Sequence, residues 1–161
     1  MKSYLKWSKR KEHIFRRNIT DKINIKYGVA CFFVPVTERS GLKMYGNAGD
    51  RNYAYRLQTR AAKHDLAPEV GEKFKLKIFG VSYVSCGAIK DLWVNTVYGY
   101  VTEKVRVPKI VGYRREEELA DALEAVGLEA GDLRPDNMGI KKGRLVCIDF
   151  DECSMGSSFI R

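Results

Sequence analysis

The stretch from Gly131 to Phe150 constrains this chain more than any other part of it. It runs Gly131-Asp132-Leu133-Arg134-Pro135-Asp136-Asn137, then a short apolar strand, Met138 to Ile140. A basic turn, Lys141-Lys142-Gly143-Arg144, leads to a second strand, Leu145 to Ile148, closed by Asp149. Two such strands around a glycine-containing turn predict an antiparallel hairpin. Asn137 would then enter one strand where Asp149 leaves the other, bringing an amide oxygen and a carboxylate to one end. Oxygen donors of this kind suit a hard divalent cation such as Mg²⁺. Asp132, on the tight loop just before, adds a third oxygen or a base. Metal ligands for phosphates, with a carboxylate that orients or deprotonates a hydroxyl, are what phosphoryl transfer requires.

The rest of the chain reads as sheet with two helices. Apolar residues alternate at Ile23, Ile25, Tyr27, Val29 and Cys31, the period of a strand, with Gly28 at a bend. Leu42 to Tyr45 predicts another strand, after the turn Thr37 to Gly41. Asn47-Ala48-Gly49-Asp50 reads as a loop ending in Asp50 as N-cap. Residues 51–64 then predict a helix with Ala54, Leu57 and Ala61 on one face, ending before Pro68. Phe74, Leu76 and Ile78 alternate, as does the run from Trp93 to Val101, and a turn at Gly87 makes these a hairpin. Glu116 to Val126 predicts the second helix, stopped by Gly127. That order is α+β with a mostly antiparallel sheet.

On these residues the chain resembles the protein-kinase-like superfamily. Asp132-Leu133-Arg134-Pro135-Asp136-Asn137 is similar to the kinase catalytic loop, and Ile148-Asp149-Phe150 to the metal-binding D-F-G element. The resemblance implies Asp132 as catalytic base, Asn137 and Asp149 as Mg²⁺ ligands, and Arg134 in place of a lysine facing the γ-phosphate. Gly41-Leu42-Lys43-Met44-Tyr45 resembles the strand that carries a phosphate-pairing lysine, here Lys43. The helix at 51–64 resembles the one that packs behind that lysine. Tyr98 to Glu103 resembles the strand leading into the hinge whose backbone holds adenine, with Glu103 at its end. ATP and Mg²⁺ are the implied cofactors. The implied fold is a kinase-like N-lobe, an antiparallel sheet plus one helix, followed by a minimal C-terminal helix and the catalytic-loop hairpin.

The sequence departs from that pattern in five places. No G-x-G-x-x-G loop precedes Lys43; Gly28 is the only glycine before Ser40. Between Glu38 and Asp65 the only acid is Asp50, so Gln58 stands as the neutral substitute for the usual glutamate partner of Lys43. Ala130-Gly131 replaces His-Arg ahead of Asp132, and Asp151 replaces the glycine of D-F-G, as a further acid near the metal. Both forms look more like aminoglycoside phosphotransferases and other small-molecule or atypical kinases. Twelve residues follow Asp149, so the helical C-lobe is expected to be largely missing.

Charge is unevenly placed. The net charge is +9, and residues 1–27 hold nine basic side chains against Glu12 and Asp21, a net +7. Such an arm attracts nucleic acid, an acidic partner or nucleotide phosphates, and otherwise forms a solvated helix face. Trp7, Ile14 and Phe15 among the cations suggest that it also docks. The expected layout is therefore a basic arm, 1–22, and a minimal kinase-like domain, 23–161. No C-x-x-C occurs and the only histidines are His13 and His64, against a zinc site. The longest near-apolar run, Tyr27 to Val36, is ten residues, too short to span a bilayer. A reduced, cytoplasmic protein with no membrane partner is the expectation, and a compact kinase-like chain of this kind suits a phage or mobile-element accessory protein.

Three functions follow from different classes. The first is a minimal kinase-like phosphotransferase using Mg-ATP, with an acceptor the sequence does not name. The second is a pseudokinase-like module acting through a protein partner. The third is a basic accessory protein that binds nucleic acid through residues 1–27.

Overall fold

The computed structural model describes residues 1–20, 26–27, 31–78, 81–85, 88–92, 96–129, 133–150 and 154–155. The chain divides into two compact units, Met1–Asn52 with Gly71–Lys104, and Tyr53–Val70 with Val105–Arg161.

In the first unit a 3-10 turn (Ser3–Leu5) leads to α1 (Lys9–Thr20), then β1 (Lys26–Tyr27), β2 (Cys31–Pro35) and β3 (Ser40–Tyr45). α2 (Ala48–Ala62) carries the chain across the division between units. β4 (Val70–Leu76), β5 (Val81–Ser85), β6 (Ala88–Leu92) and β7 (Val97–Glu103) follow. Five strands form one sheet in the order β1-β2-β3-β7-β4. The β1/β2, β2/β3 and β3/β7 pairings are antiparallel. The fold class is α+β with a mostly antiparallel sheet, as expected, and α1 stands with the sheet in addition to the one helix that the resemblance implied.

Alternation along the strands sorts side chains between two faces of the sheet. Val34, Leu42, Met44, Phe74, Leu76, Ile78, Val97 and Val101 form one buried apolar cluster. The N-terminal segment covers it: Leu5 and Phe15 belong to the cluster, and Tyr4, Trp7 and Ile14 pack against it. The Trp7 ring stacks on Phe74 with centroids 4.3 Å apart, and the Trp7 amide donates to Glu72 Oε2 at 2.6 Å. Gly71 permits this approach, because a Cβ there would sit 2.0 Å from the Leu5 carbonyl oxygen. Ser8 caps α1, its Oγ accepting from the Lys11 amide at 3.2 Å. Lys11 is itself buried, and its Nζ donates to the Lys6 carbonyl. Burial pulls its pKa below the usual lysine value, against the opposing pull of nearby Glu72.

Two local expectations are corrected. The α2 N-cap is Asn47, not Asp50: the Asp50 amide donates to Asn47 Oδ1 at 2.8 Å, and Asn47 Nδ2 donates to Asp50 Oδ2 at 2.7 Å. Asp50 therefore occupies the third helical position and accepts a bond from the side chain of its own cap. The single hairpin expected between Phe74–Ile78 and Trp93–Val101 is also different. β4 and β7 are sheet neighbours, but the chain between them forms a hairpin of its own, β5 with β6, in which Ser85 pairs Ala88. Cys86, Gly87 and Trp93 lie outside the described residues.

In the second unit α2 ends in a Schellman turn. The Leu66 amide donates to Ala61 at 3.0 Å and the Asp65 amide to Ala62 at 3.1 Å, with Asp65 at φ 58°. α3 (Tyr113–Ala125) begins a turn earlier than its apolar pattern predicts, buries Leu119 and Leu123, and stops at Gly127, φ 80°. β8 (Leu128–Glu129), a 3-10 turn (Pro135–Asn137), β9 (Met138–Lys141), β10 (Arg144–Cys147) and β11 (Ser154–Met155) complete the described chain. β9 and β10 make the expected hairpin, and β8 pairs antiparallel with β11, a contact nothing in the pattern signalled. Among the described residues no helix is long and apolar enough to cross a membrane.

Candidate functional site

The site residues named from the sequence fall in both units. In the first, Lys43 sits mid-strand on β3, paired with Phe33 on β2 and Tyr100 on β7. It is only 6% exposed. Lysine is seldom buried so deeply, because desolvating an ammonium is costly unless it is compensated. By alternation it shares a face with Tyr45 and Tyr100, opposite Leu42 and Met44; the two tyrosine rings stack with centroids 6.2 Å apart. Glu103 is the last residue of β7, half-buried and paired with Ser40. The Lys104 amide just beyond donates to Arg39 at 2.9 Å. The chain leaves the first unit at Lys104.

In the second unit, β9 and β10 set where Asn137 and Asp149 lie along the hairpin. Cys147 pairs Met138 at its last regular position, and the Ile148 amide donates to the Asn137 carbonyl at 3.0 Å. Asn137 and Asp149 therefore stand at the same hairpin end. Asn137 is buried, at the close of a 3-10 turn that starts on Pro135 and returns its amide to the Arg134 carbonyl at 2.8 Å. Pro135 suits that start because the first amide of a helical turn has no internal partner.

The hairpin is braced along both strands. The Ile140 amide donates to Arg106 at 2.7 Å, and the Cys147 amide donates to Leu66 at 2.9 Å. Buried Lys141 reaches Glu69 at 3.9 Å. Cys147 is a free, buried cysteine whose Sγ donates to the Asp149 carbonyl at 3.2 Å, so it packs as a small hydrophobe. A site on such an anchored hairpin is held more tightly than one on a free loop.

Gln58 is fully buried on α2 and its Nε2 donates to the Pro68 carbonyl at 3.0 Å, fastening the helix to the segment that follows it. Arg134 is exposed and lies 3.8 Å from Asp136, an ion pair of small energetic weight in water. Asp132 and Asp151 lie outside the described residues. Among the described residues no three His, Cys, Asp or Glu side chains group as a metal cage. A Mg²⁺ ion does not require one: it commonly takes one or two protein oxygens and completes its shell with phosphates and water. One carboxylate and one amide at a hairpin end fit that donor chemistry.

A basic row on the first unit lies outside the motifs. Lys73, Lys75 and Lys77 alternate with Phe74, Leu76 and Ile78, and all three are exposed. The same alternation that revealed the strand carried the signal.

Comparison with known proteins finds no matching family model, and no curated protein matches the chain in sequence. Among solved structures, a co-crystal of WbdD with the kinase inhibitor LY294002 aligns over 81% of this chain at 13% identity, with a TM-score of 0.43. The chain spans about a third of that structure, 32% of its length. The fold class stated above rests on strand order and register.

Proposed function

We propose that the chain is a kinase-like protein that binds Mg-ATP. The reading rests on the hairpin end that carries both Asn137 and Asp149, within a motif that resembles a kinase catalytic loop. In this reading Asn137 and Asp149 hold the metal, which when bound supplies charge neutralisation for the phosphates. Lys43, buried on β3, is the phosphate-pairing lysine, and Glu103 ends the strand whose backbone meets adenine. Asp132 is the base that accepts a proton from the acceptor hydroxyl, and Arg134 neutralises phosphate charge. Asp151 adds a further acid near the metal. Gln58 keeps its structural bond to Pro68 and offers an amide rather than a carboxylate on its helix.

Thermal unfolding with ATP, with and without Mg²⁺, tests the reading. A ligand at a hundredfold excess over its Kd stabilises by about 2.7 kcal/mol. The expected result is a Mg²⁺-dependent rise in Tm that Asp149→Asn removes. No metal-dependent shift in the wild type would end the nucleotide reading. Transfer of labelled γ-phosphate, lost in Asp132→Ala with ATP binding retained, separates an active kinase from a binding module.

A further inference from the structure

We infer that the β4 edge of the sheet in the first unit is a docking surface for the phosphate backbone of single-stranded nucleic acid. Lys73 and Lys75 on β4, and Lys77 immediately after it, occupy alternate positions, so their side chains share one face. Their repeat along an extended strand is ~6.8 Å, a spacing that suits successive phosphates of an extended single strand. The intervening Phe74, Leu76 and Ile78 are buried on the other face beneath the N-terminal segment, which fixes which way the lysines stand.

The row is widened by its neighbours. Tyr98, on adjacent β7, has Lys75 Nζ 5.5 Å and the Arg51 guanidinium 5.9 Å from its ring centroid. Arg51 is itself held by the carbonyls of Phe74 and Gly99, at 3.3 and 3.4 Å. Lys73 donates to the neutral side chain of Asn52 at 3.2 Å. Among the described residues no carboxylate pairs with Lys75 or Lys77. Glu72, the acid within β4, is engaged by the Trp7 amide beside Phe74.

By contrast, the cations of α1 are partly committed. Lys11 is buried, and Arg16 pairs with Glu12 at 3.0 Å and donates to the Lys77 carbonyl at 3.2 Å. Beside the exposed Arg10 and Arg17 of α1, the β4 edge thus adds lysines regularly spaced along an extended strand. Cations combined with an aromatic ring are the usual make-up of sequence-tolerant single-strand binders.

The test uses the full chain and a fluorescein-labelled oligothymidylate followed by anisotropy across a salt series. Binding is expected to fall with salt, and Lys75→Ala/Lys77→Ala should weaken it and lower the slope of log K against log salt by ~1.4, about 0.7 per lost phosphate contact. Arg10→Ala/Arg17→Ala on α1 should leave binding unchanged. Both variants alter exposed side chains, and an unchanged melting curve confirms that each is folded. Loss confined to the α1 variant would overturn the assignment, as would tighter binding to a duplex of the same length. Equal binding of polyglutamate at matched salt would replace nucleic acid with an acidic protein as the partner, and also overturns it.

Discussion

The Ile148 amide donates to the Asn137 carbonyl at 3.0 Å, so the β9–β10 hairpin stays zipped one pair beyond its last strand residues. That bond closes the hairpin end next to Asp149, and the packing beneath the strand is tight. A Cβ on Gly139 would lie 2.4 Å from Val105 Cγ2 and 2.9 Å from Ile148 Cγ2. Gly139→Ala should therefore cost about 1–3 kcal/mol, read as a lower urea midpoint. Val105→Ala in the same background should recover part of the loss.

The turn of the same hairpin carries a correctable strain. Lys142 and Gly143 both have positive φ, 49° and 77°, and the pairing of Lys141 with Arg144 leaves just these two in the loop. This is a type I′ turn, in which asparagine before glycine is favoured and lysine is not. Lys142→Asn should stabilise by up to about 1 kcal/mol, a rise of ~2–4 °C in Tm for a chain of this size. An unchanged or lower Tm would count against the turn assignment.

Sheet, helices and hairpin were legible because each follows a local rule. Leu42, Met44, Phe74 and Leu76 alternate, Leu119 and Leu123 repeat at helical spacing, and Gly127 and Gly143 punctuate. What was not legible depends on distant partners. Asn47 and Asp50 are both good capping residues, and only the backbone's entry into α2 decides between them. The β5–β6 hairpin could not be separated from the alternation around it, because the period-2 pattern is the same whichever strands pair. For the candidate site, the placement of Asn137 and Asp149 at one hairpin end follows from the sequence, since it needs only strand pairing. The engagement of Gln58 with Pro68 does not, because nothing local ties a glutamine to a carbonyl ten residues on.

Phe15 and Arg17 stand two positions apart on α1, and their contributions should differ sharply. Phe15 is fully buried in the sheet cluster, whereas Arg17 is exposed. Phe15→Ala should cost about 3–5 kcal/mol and Arg17→Ala under about 0.5 kcal/mol, measured by chemical unfolding. Similar losses for both would mean that α1 is not seated on the sheet.

Lys11 gives a pH dependence with a defined sign. Its folded pKa is lowered by burial, so between that value and 10.5 the unfolded chain binds more protons than the folded one. Stability from this group therefore rises with pH across that window, and the cost of burying the charge applies in full below it. Compared with Lys11→Met, the wild type should gain relative stability as pH increases towards 10.5. A difference in unfolding free energy that stays flat with pH would exclude charged Lys11 from the buried position.

The seating of the N-terminal segment has a practical corollary for dissecting its charges. Leu5, Trp7 and Phe15 shield an apolar sheet face, so trimming this segment would expose that face and yield a sticky, partly unfolded product. Such a product would bind polyanions, or fail to, for reasons unrelated to its lost cations. Only point neutralisation of exposed positions such as Arg10 and Arg17 separates the segment's electrostatics from its role as a cover.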